Sequence, residues 1–389
     1  MQYATSELTT FLEAGELKEM LSSAAGPCLS VYAPISKALS DQGQYALRWK
    51  ECLKSLDKDV AKFDGKAEEL RRSVADWQSI YDPKDAHGAA VAVFRSAEVF
   101  RRIWLDRPVE AQAFVGPNFN IRPLLPELAR DRVFCILALS QKDVRLLRCT
   151  SSSAELVQFP TPTLTSFDAY LNPAKPDHVT DNRASPGPSS GSSKGVMFST
   201  STGREDKGEH LAHFFRQIDR GLNEVLREGH PPVVLAGVEY EVALYRASTT
   251  YGNVVDDAVE GAPNSLKGGE LQARALAVMD KCYEQKIQKS LEAYEQHFGA
   301  GRATNSLKEV VAAAYDGRIL TLLLSDSMQL PGRFEESTHE VKAKSNGLPD
   351  EEDLLNVAAV QCLLHSGQVL VAPNNKMPNG APAAAVLRF

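Results

Sequence analysis

The feature that most constrains the fold is one amphipathic segment that lies between two short, continuous apolar runs. Its apolar residues recur at spacings of three and four, the pattern of an α-helix with one buried face. They are Leu211, Phe214, Phe215, Ile218, Leu222, Val225 and Leu226. The runs at residues 133–139 and 233–238 have the length and composition of strands buried on both faces. Because such a helix must pack on a sheet, the pattern predicts a mixed α/β fold.

Composition limits the class of protein. The chain has 389 residues, of which 43% are hydrophobic and 24% charged, which is typical of a globular protein of two or three domains. No apolar run approaches the ~18–20 residues that cross a bilayer. Residues 1–15 have neither a basic n-region nor an apolar h-region, so we expect a cytoplasmic protein that has no membrane partner.

Charge and cysteine spacing exclude two further classes. The net charge is −7, whereas a protein that holds duplex DNA by bulk charge is basic, so we expect no DNA partner. The six cysteines include no CxxC pair, which indicates reduced and mostly buried thiols. The sequence therefore predicts neither a disulfide framework nor a zinc site, and we expect no metal and no cofactor.

The order of motifs and breaks predicts three domains, with an α/β (α+β) fold overall. The N-terminal α+β domain is predicted at 1–128, the middle domain at 129–279 and the C-terminal domain at 280–389. Residues 160–205 are rich in Pro, Gly and Ser and are predicted to form a long loop, which is uncommon in a compact domain unless it is functional or disordered.

Two features are predicted within the C-terminal domain. Ser306 and Glu309 have the spacing of a capping box, and the helix that they start is predicted to end at Gly317. Residues 331–349 are predicted to be a polar, mobile insertion.

Several short motifs, taken in order, resemble a known family. They are residues 29–34, 121–126, 213–220, 232–238, 245–246, 271–275, 306–325 and 383–389. This order resembles the bacterial branch of the archaeo-eukaryotic class-I release factor and Pelota superfamily. The resemblance implies an RNase-H-like middle domain and an L7Ae-like C-terminal domain. It also implies a protein that binds the ribosome, with rRNA of the A site as its partner and a translational GTPase as a possible second partner.

The sequence departs from that family in its loop. Family members that terminate translation carry Gly-Gly-Gln there, and this chain has none, since its one Gly-Gly pair, Gly268-Gly269, precedes Glu270. The stop-codon-reading motifs are absent as well. These departures favour a non-enzymatic factor that occupies the A site in rescue or hibernation without reading a stop codon. Two alternatives stay open: a peptidyl-tRNA hydrolase that uses a non-standard loop, and an RNA-binding module that acts off the ribosome.

Two groups of residues are candidates for ribosome binding, and none is predicted to be catalytic. The loop combines small residues with cations suited to phosphate, namely Arg183, Ser189, Gly191, Lys194, Gly195 and Arg204. The helix has His213, Arg216, Arg220 and Arg227 opposite its apolar residues, within ~60° of one another. The alternatives are an insertion without function for the loop and an ordinary solvated face for the helix, where Glu224 interrupts the line.

Overall fold

The computed structural model describes residues 8–9, 14–35, 42–63, 65–76, 88–130, 133–151, 153–171, 202–343 and 351–389. The chain divides into two compact units. The middle unit is Val133–Cys282, and the terminal unit comprises Met1–Arg132 together with Tyr283–Phe389. The three-domain boundaries near residues 128 and 279 stay a prediction.

The N-terminal part of the terminal unit is a five-stranded sheet with short helices on one face. Its elements are β1 (Leu8–Thr9), α1 (Ala14–Ser22), β2 (Cys28–Pro34), α2 (Gln42–Ser55), α3 (Asp57–Val60), α4 (Lys66–Ser73), β3 (Ala90–Arg95), β4 (Phe100–Leu105), β5 (Gln112–Gly116) and α5 (Leu125–Leu128). The strand order is β1-β4-β3-β2-β5, and only the β1–β4 pair is parallel. Trp49 and Leu53 of α2 and Leu70 of α4 belong to the same buried cluster as Val31 and Val93 of the sheet.

The middle unit is a five-stranded mixed sheet with helices on both faces. Its elements are β6 (Phe134–Ala138), β7 (Arg145–Cys149), β8 (Ala154–Val157), α6 (Phe167–Leu171), α7 (Thr202–Val225), β9 (Val233–Gly237), α8 (Glu239–Ser248), β10 (Val254–Glu260) and α9 (Gly268–Phe298), whose residues up to Cys282 belong to this unit. The strand order is β8-β7-β6-β9-β10. The β6–β7 and β7–β8 pairs are antiparallel, and β6–β9 and β9–β10 are parallel. This is the strand order and direction of an RNase-H-like core, as the resemblance implies.

The predicted amphipathic helix and buried strands account for the core of the middle unit. The apolar residues of α7 pack on one face of the sheet together with Phe167 and Tyr245. Leu271 and Ala275 of α9 cover the opposite face. Because both faces are covered, β6 and β9 are buried along their whole length, which explains their continuous apolar sequence.

The C-terminal part of the terminal unit has a four-stranded sheet and a small three-stranded one. Its elements are β11 (Ala303–Thr304), α10 (Leu307–Tyr315), β12 (Ile319–Ser325), β13 (Pro331–Glu335), β14 (Glu340–Ala343), β15 (Glu352–Asp353), α11 (Leu354–Leu364), β16 (Gln368–Ala372) and β17 (Ala383–Leu387). The orders are β11-β17-β12-β16 and β14-β13-β15. Helices α10 and α11 cover one face of the larger sheet, and the second half of α9 covers the other. These layers form the L7Ae-like domain that was predicted.

Three sequence predictions need correction. The segment 331–349 is not an insertion without structure, because β13 and β14 pair antiparallel within it; residues 344–350 lie outside the described ranges. The predicted loop at 160–205 is too long at its C-terminal end, since α7 begins at Thr202. The capping box does not form, because Ser306 makes no side-chain cap bond and Glu309 instead accepts a hydrogen bond from the Thr304 hydroxyl at 2.5 Å. Gly317 has the positive φ predicted for the end of α10.

Polar contacts join the N-terminal and C-terminal parts of the terminal unit. The Asn356 side chain accepts a hydrogen bond from the Ile121 amide at 2.8 Å and donates one to the Phe119 carbonyl at 2.9 Å. Arg122 pairs with Asp353 at 2.7 Å, and both side chains are largely buried. Buried backbone groups at this junction therefore find partners across it, which makes the two parts one cooperative body.

The cysteines and helices agree with two further predictions from the sequence. All six cysteines are free and five are buried, and burial raises the pKa of Cys135 to about 11, so its reactive thiolate form is suppressed. No helix within the described ranges has the length and apolar character needed to cross a bilayer.

Candidate functional site

Helix α7 carries the candidate site on its exposed face. His213, Arg216 and Arg220 are exposed and lie opposite the buried apolar residues, as the helical period requires. Arg227 is exposed too, two residues beyond the end of the helix at Val225. We call His213, Arg216, Arg220 and Arg227 the α7 cationic face. At ~1.5 Å per residue, the helical part from His213 to Arg220 spans ~10 Å.

The cations of this face have no protein partner among the described residues. None of His213, Arg216, Arg220 or Arg227 has an ion pair or a side-chain hydrogen bond there. Glu224 is exposed and lies on the same side of the helix, so the interruption predicted from the sequence is real. The three arginines therefore outnumber Glu224 on the face, and their guanidinium groups are available to an external anion such as a phosphate.

A buried carboxylate fixes the position of α7. Asp219 is 3% exposed and accepts hydrogen bonds from Tyr245 at 3.0 Å, the Thr249 hydroxyl at 2.6 Å, and the Thr250 amide and hydroxyl at 2.9 and 2.6 Å. Asn223 adds a further bond from one turn along the helix, at 3.2 Å. Because Tyr245 and Thr249 lie at the C-terminal end of α8, these bonds tie α7 to the end of that helix. They also raise the pKa of Tyr245, chiefly through the burial of its ring and then through Asp219.

The connection before α7 is packed along the same helix. The Gln217 side chain donates to the Pro162 carbonyl at 3.4 Å, and the Phe167 and Tyr170 rings each lie 5.6 Å from the Phe214 ring. Gly221 allows the close approach, because a Cβ there would lie 2.8 Å from the Thr163 hydroxyl. Residues 159–171, which we call the loop base, are therefore seated on α7 next to the cationic face.

Exchanging Gly221 for alanine should loosen the loop base. Alanine favours a helix over glycine by about 1 kcal/mol, but the added methyl meets Thr163 and Phe159, and such overpacking costs about 1–3 kcal/mol. We expect a net loss of about 1 kcal/mol in the stability of the middle unit and faster proteolysis near residue 160, measured by urea titration of hydrogen exchange and by limited digestion.

Gly208 provides the matched control in the same helix. A Cβ there would meet only the Tyr240 hydroxyl, at 3.0 Å, and this is the far end of a side chain that is 57% exposed and can move away. Gly208→Ala should therefore stabilise α7 by roughly 0.5–1 kcal/mol. Equal effects of the two substitutions would show that the loop base is not held against Gly221.

The structure places only some of the predicted residues. Arg183, Ser189, Gly191, Lys194 and Gly195 lie outside the described residues. Arg204 lies in the first turn of α7, although its side chain is outside the described part of the chain. The structure thus brings together His213, Arg216 and Arg220 on one helical face, with Arg227 beyond its end. Sequence analysis did not identify Asp219 or Gly221, and an aspartate on the apolar side of a helix was the available signal for the first.

The described residues offer no cluster of three His, Cys, Asp or Glu side chains that could hold a metal ion. In chemical terms, the site is a helix with exposed cations, a buried carboxylate that fixes its position, and a packed connection beside it. Such an arrangement suits the binding of a phosphate-rich surface.

The fold and the site define a class of protein first. The middle unit is an RNase-H-like α/β domain that carries unpaired cations on the helix outside its sheet. The family follows from comparison of the sequence: residues 133–318 match the model of the bacterial archaeo-eukaryotic release factor family 3. The resemblance predicted from the sequence is therefore confirmed, and this part of the chain is release-factor-like. No curated protein matches the chain.

Solved structures with related descriptions are distant from this chain. The archaeal translation termination factor aRF1 is 13% identical, with a TM-score of 0.23 over 97% of this chain and 99% of the other. Archaeal Pelota, described as ribosome-bound together with ABCE1, is 13% identical, with a TM-score of 0.37 over 97% and 94%. Dom34 of S. cerevisiae, described as interacting with Hbs1, is 15% identical, with a TM-score of 0.37 over 81% and 77%. Scores this low carry no argument about function, and the strand order and the family match are the evidence used below.

Proposed function

We propose that this protein is a ribosome-binding translation factor that occupies the A site in rescue or hibernation without reading a stop codon. The observation that carries the proposal is the α7 cationic face, which lies without protein partners beside the loop base in a release-factor-like domain. Ribosomal RNA presents phosphates along its grooves, and arginines bind them through paired hydrogen bonds. The face gives an acidic protein a local means of contact with RNA, since its net charge of −7 provides none.

The sequence also favours a role without catalysis. Release of a peptide by this family is associated with Gly-Gly-Gln, and Gly268-Gly269 followed by Glu270 is the start of α9 in the middle unit. Lys267 and Glu270 close the first turn of that helix, where the Lys267 amide donates to the Glu270 carboxylate at 3.1 Å. These glycines therefore serve the start of a helix, and the proposed factor acts by occupying the ribosome. Delivery by a translational GTPase is part of the same proposal.

The charge reversal Arg216→Glu with Arg220→Glu should weaken binding to 70S ribosomes. Each lost phosphate contact lowers the salt dependence of the affinity by about one unit, and two lost contacts with added repulsion should reduce affinity at least about tenfold. Sedimentation through sucrose at several salt concentrations measures both quantities.

A matched control tests whether position matters or only charge. Arg148 and Arg274 are exposed arginines of the same unit, and reversing both changes the net charge equally. The control pair should bind ribosomes as the unchanged protein does. Equal weakening by the two pairs would remove the α7 cationic face from the proposal, and absence of the unchanged protein from every ribosomal fraction at low salt would overturn the proposed function. Release of peptide from ribosomes that carry peptidyl-tRNA would show an enzyme instead.

A further inference from the structure

A second cationic site lies on the N-terminal part of the terminal unit, away from the middle unit's sequence. Helices α2 and α4, with the first residue of α3, enclose an open groove of about 350 Å³. We call it the α2–α4 groove. Four cations and two carboxylates line it, together with Leu53 and Ala75. Its cationic side chains are Lys50, Lys54, Arg71 and Arg72, and its acidic ones are Asp57 and Glu68.

The two carboxylates of the groove are already neutralised. Arg71 forms an ion pair with Asp57 and a second with Glu68, the latter at 2.7 Å. Hydrogen bonds from Arg71 hold the pKa of Glu68 below its ordinary value, so that carboxylate remains ionised and bound. Arg71, with a side chain only 24% exposed, is thereby fixed as part of the wall. An incoming anion meets paired carboxylates, whose repulsion is largely offset.

The remaining cations of the groove are available to a ligand. Lys50 and Lys54 are exposed and have no ion pair or side-chain hydrogen bond among the described residues. Arg72 uses only Nε, toward Glu68 at 3.0 Å, and its side chain is 76% exposed. Lys50 and Lys54 lie one helical turn apart, ~6 Å along α2, a spacing comparable with that of successive phosphates on a single strand.

Apolar surface accompanies these cations. Leu53 belongs to the floor of the groove, and Leu47, three residues before Lys50 on the same side of α2, is 59% exposed. A groove that joins cations for a backbone to apolar surface for bases has the two components found in sites for single-stranded nucleic acid. An acidic peptide would use the cations but would leave the apolar surface uncovered.

We propose that the α2–α4 groove binds a segment of single-stranded RNA, with its phosphates on Lys50, Lys54 and Arg72. This goes beyond the proposed function, because it concerns another part of the chain and requires no ribosome. The excess of two positive charges is local to a chain whose net charge is −7, so binding depends on these side chains and on salt.

The test uses the full chain and a short fluorescent polyuridylate, followed by fluorescence anisotropy at several salt concentrations. Lys50→Glu with Lys54→Glu should lower the affinity at least about tenfold and make the salt dependence less steep by about 1.4 units, which corresponds to two phosphates of a single strand. Lys289→Glu with Lys308→Glu changes the net charge equally at exposed positions outside the groove, and should bind as the unchanged protein does.

A second measurement needs no variant. In the unchanged protein, acylation of Lys50 and Lys54 by an amine-reactive reagent should slow when polyuridylate is bound, whereas Lys308 should react at its original rate. Unaltered labelling of the groove lysines, or equal loss of binding by the two charge-reversal pairs, would overturn the proposal. Competition by free AMP or by polyglutamate at the affinity of the strand would also overturn it, because either would assign the groove to another ligand. Ribosome sedimentation is not involved, so this proposal and the proposed function fail separately.

Discussion

Asp219→Ala is expected to lower the stability of the middle unit by about 3–4 kcal/mol, because it removes a buried acceptor and leaves its donors without partners. Tyr245, Thr249 and Thr250 all donate to this carboxylate, and Tyr245 is completely buried. Each buried donor that loses its partner costs about 1–3 kcal/mol, although Thr249 and Thr250 can recover part of this by turning toward water. The measurement is the free energy of opening from hydrogen exchange of the amides between Phe214 and Leu222.

The controls for this substitution use the distribution of chromophores. All three tryptophans, at positions 49, 77 and 104, lie in the terminal unit, so tryptophan fluorescence monitors that unit alone. Asp256→Ala removes an exposed carboxylate from the middle unit and should change the exchange free energy by less than about 0.5 kcal/mol. If Asp219→Ala behaved like Asp256→Ala, Asp219 would not be the residue that holds α7 on α8.

The second large effect concerns pH. Glu352 in β15 receives a hydrogen bond from the Asn118 amide at 3.0 Å, across the junction of the N-terminal and C-terminal parts of the terminal unit. Burial raises the pKa of Glu352 to about 7, the Asn118 bond opposes this, and the neighbouring Asp353 adds to it. Cys28 and Tyr315 also lie within the electrostatic influence of this carboxyl group.

The sign follows from comparing the folded and unfolded chains. The unfolded chain loses the proton near pH 4.5 and the folded chain near pH 7, so the folded state binds the proton more tightly. Below pH 4.5 the group makes no contribution from this difference. Between pH 4.5 and 7 it increasingly destabilises the fold, and above pH 7 the full cost remains. After an allowance for its partial exposure, that cost is about 2 kcal/mol.

Glu352→Gln should therefore stabilise the terminal unit by about 2 kcal/mol at pH 8, and have little effect at pH 4.5, since glutamine retains an acceptor for Asn118 without a charge. Urea unfolding followed by tryptophan fluorescence at several pH values gives this difference, because Trp49 and Trp104 are both buried in this unit. Glu110→Gln changes an exposed carboxylate of the same unit and should show no such pH dependence. A constant difference between Glu352→Gln and the unchanged protein from pH 4.5 to 8 would contradict the assignment.

Periodic apolar patterns predicted the elements well, and local polar patterns predicted them less well. The spacing of Leu211, Phe214 and Ile218 gives the buried side of α7, because a helix repeats every 3.6 residues whatever it packs on. Glu309 shows the limit of the same reasoning. Its distance from Ser306 fits a capping box, yet its carboxylate pairs with Thr304, which the fold places closer. A short motif states which bonds are possible, and the neighbouring chain decides which of them forms.

The β13–β14 hairpin was missed for a related reason. Residues 331–343 are polar and charged, with too few apolar residues for a period to be visible. Phe334 stacks on Tyr315 of α10 with 4.6 Å between ring centroids, and β13 also pairs with β15. Partners distant in the sequence stabilise this hairpin, so its own residues could not reveal it.

By itself, the sequence determined the mixed α/β class, the order of the buried strands, the direction in which the α7 cations point and the resemblance to a release-factor-like family. These follow from periodicity and motif order, which are local properties of the chain. Only the tertiary structure decided that Asp219 is a buried acceptor, that Gly221 admits Thr163, and that α2 and α4 form a cationic groove. Such features depend on which residues meet across long sequence separations, and burial then sets the free energy of each contact.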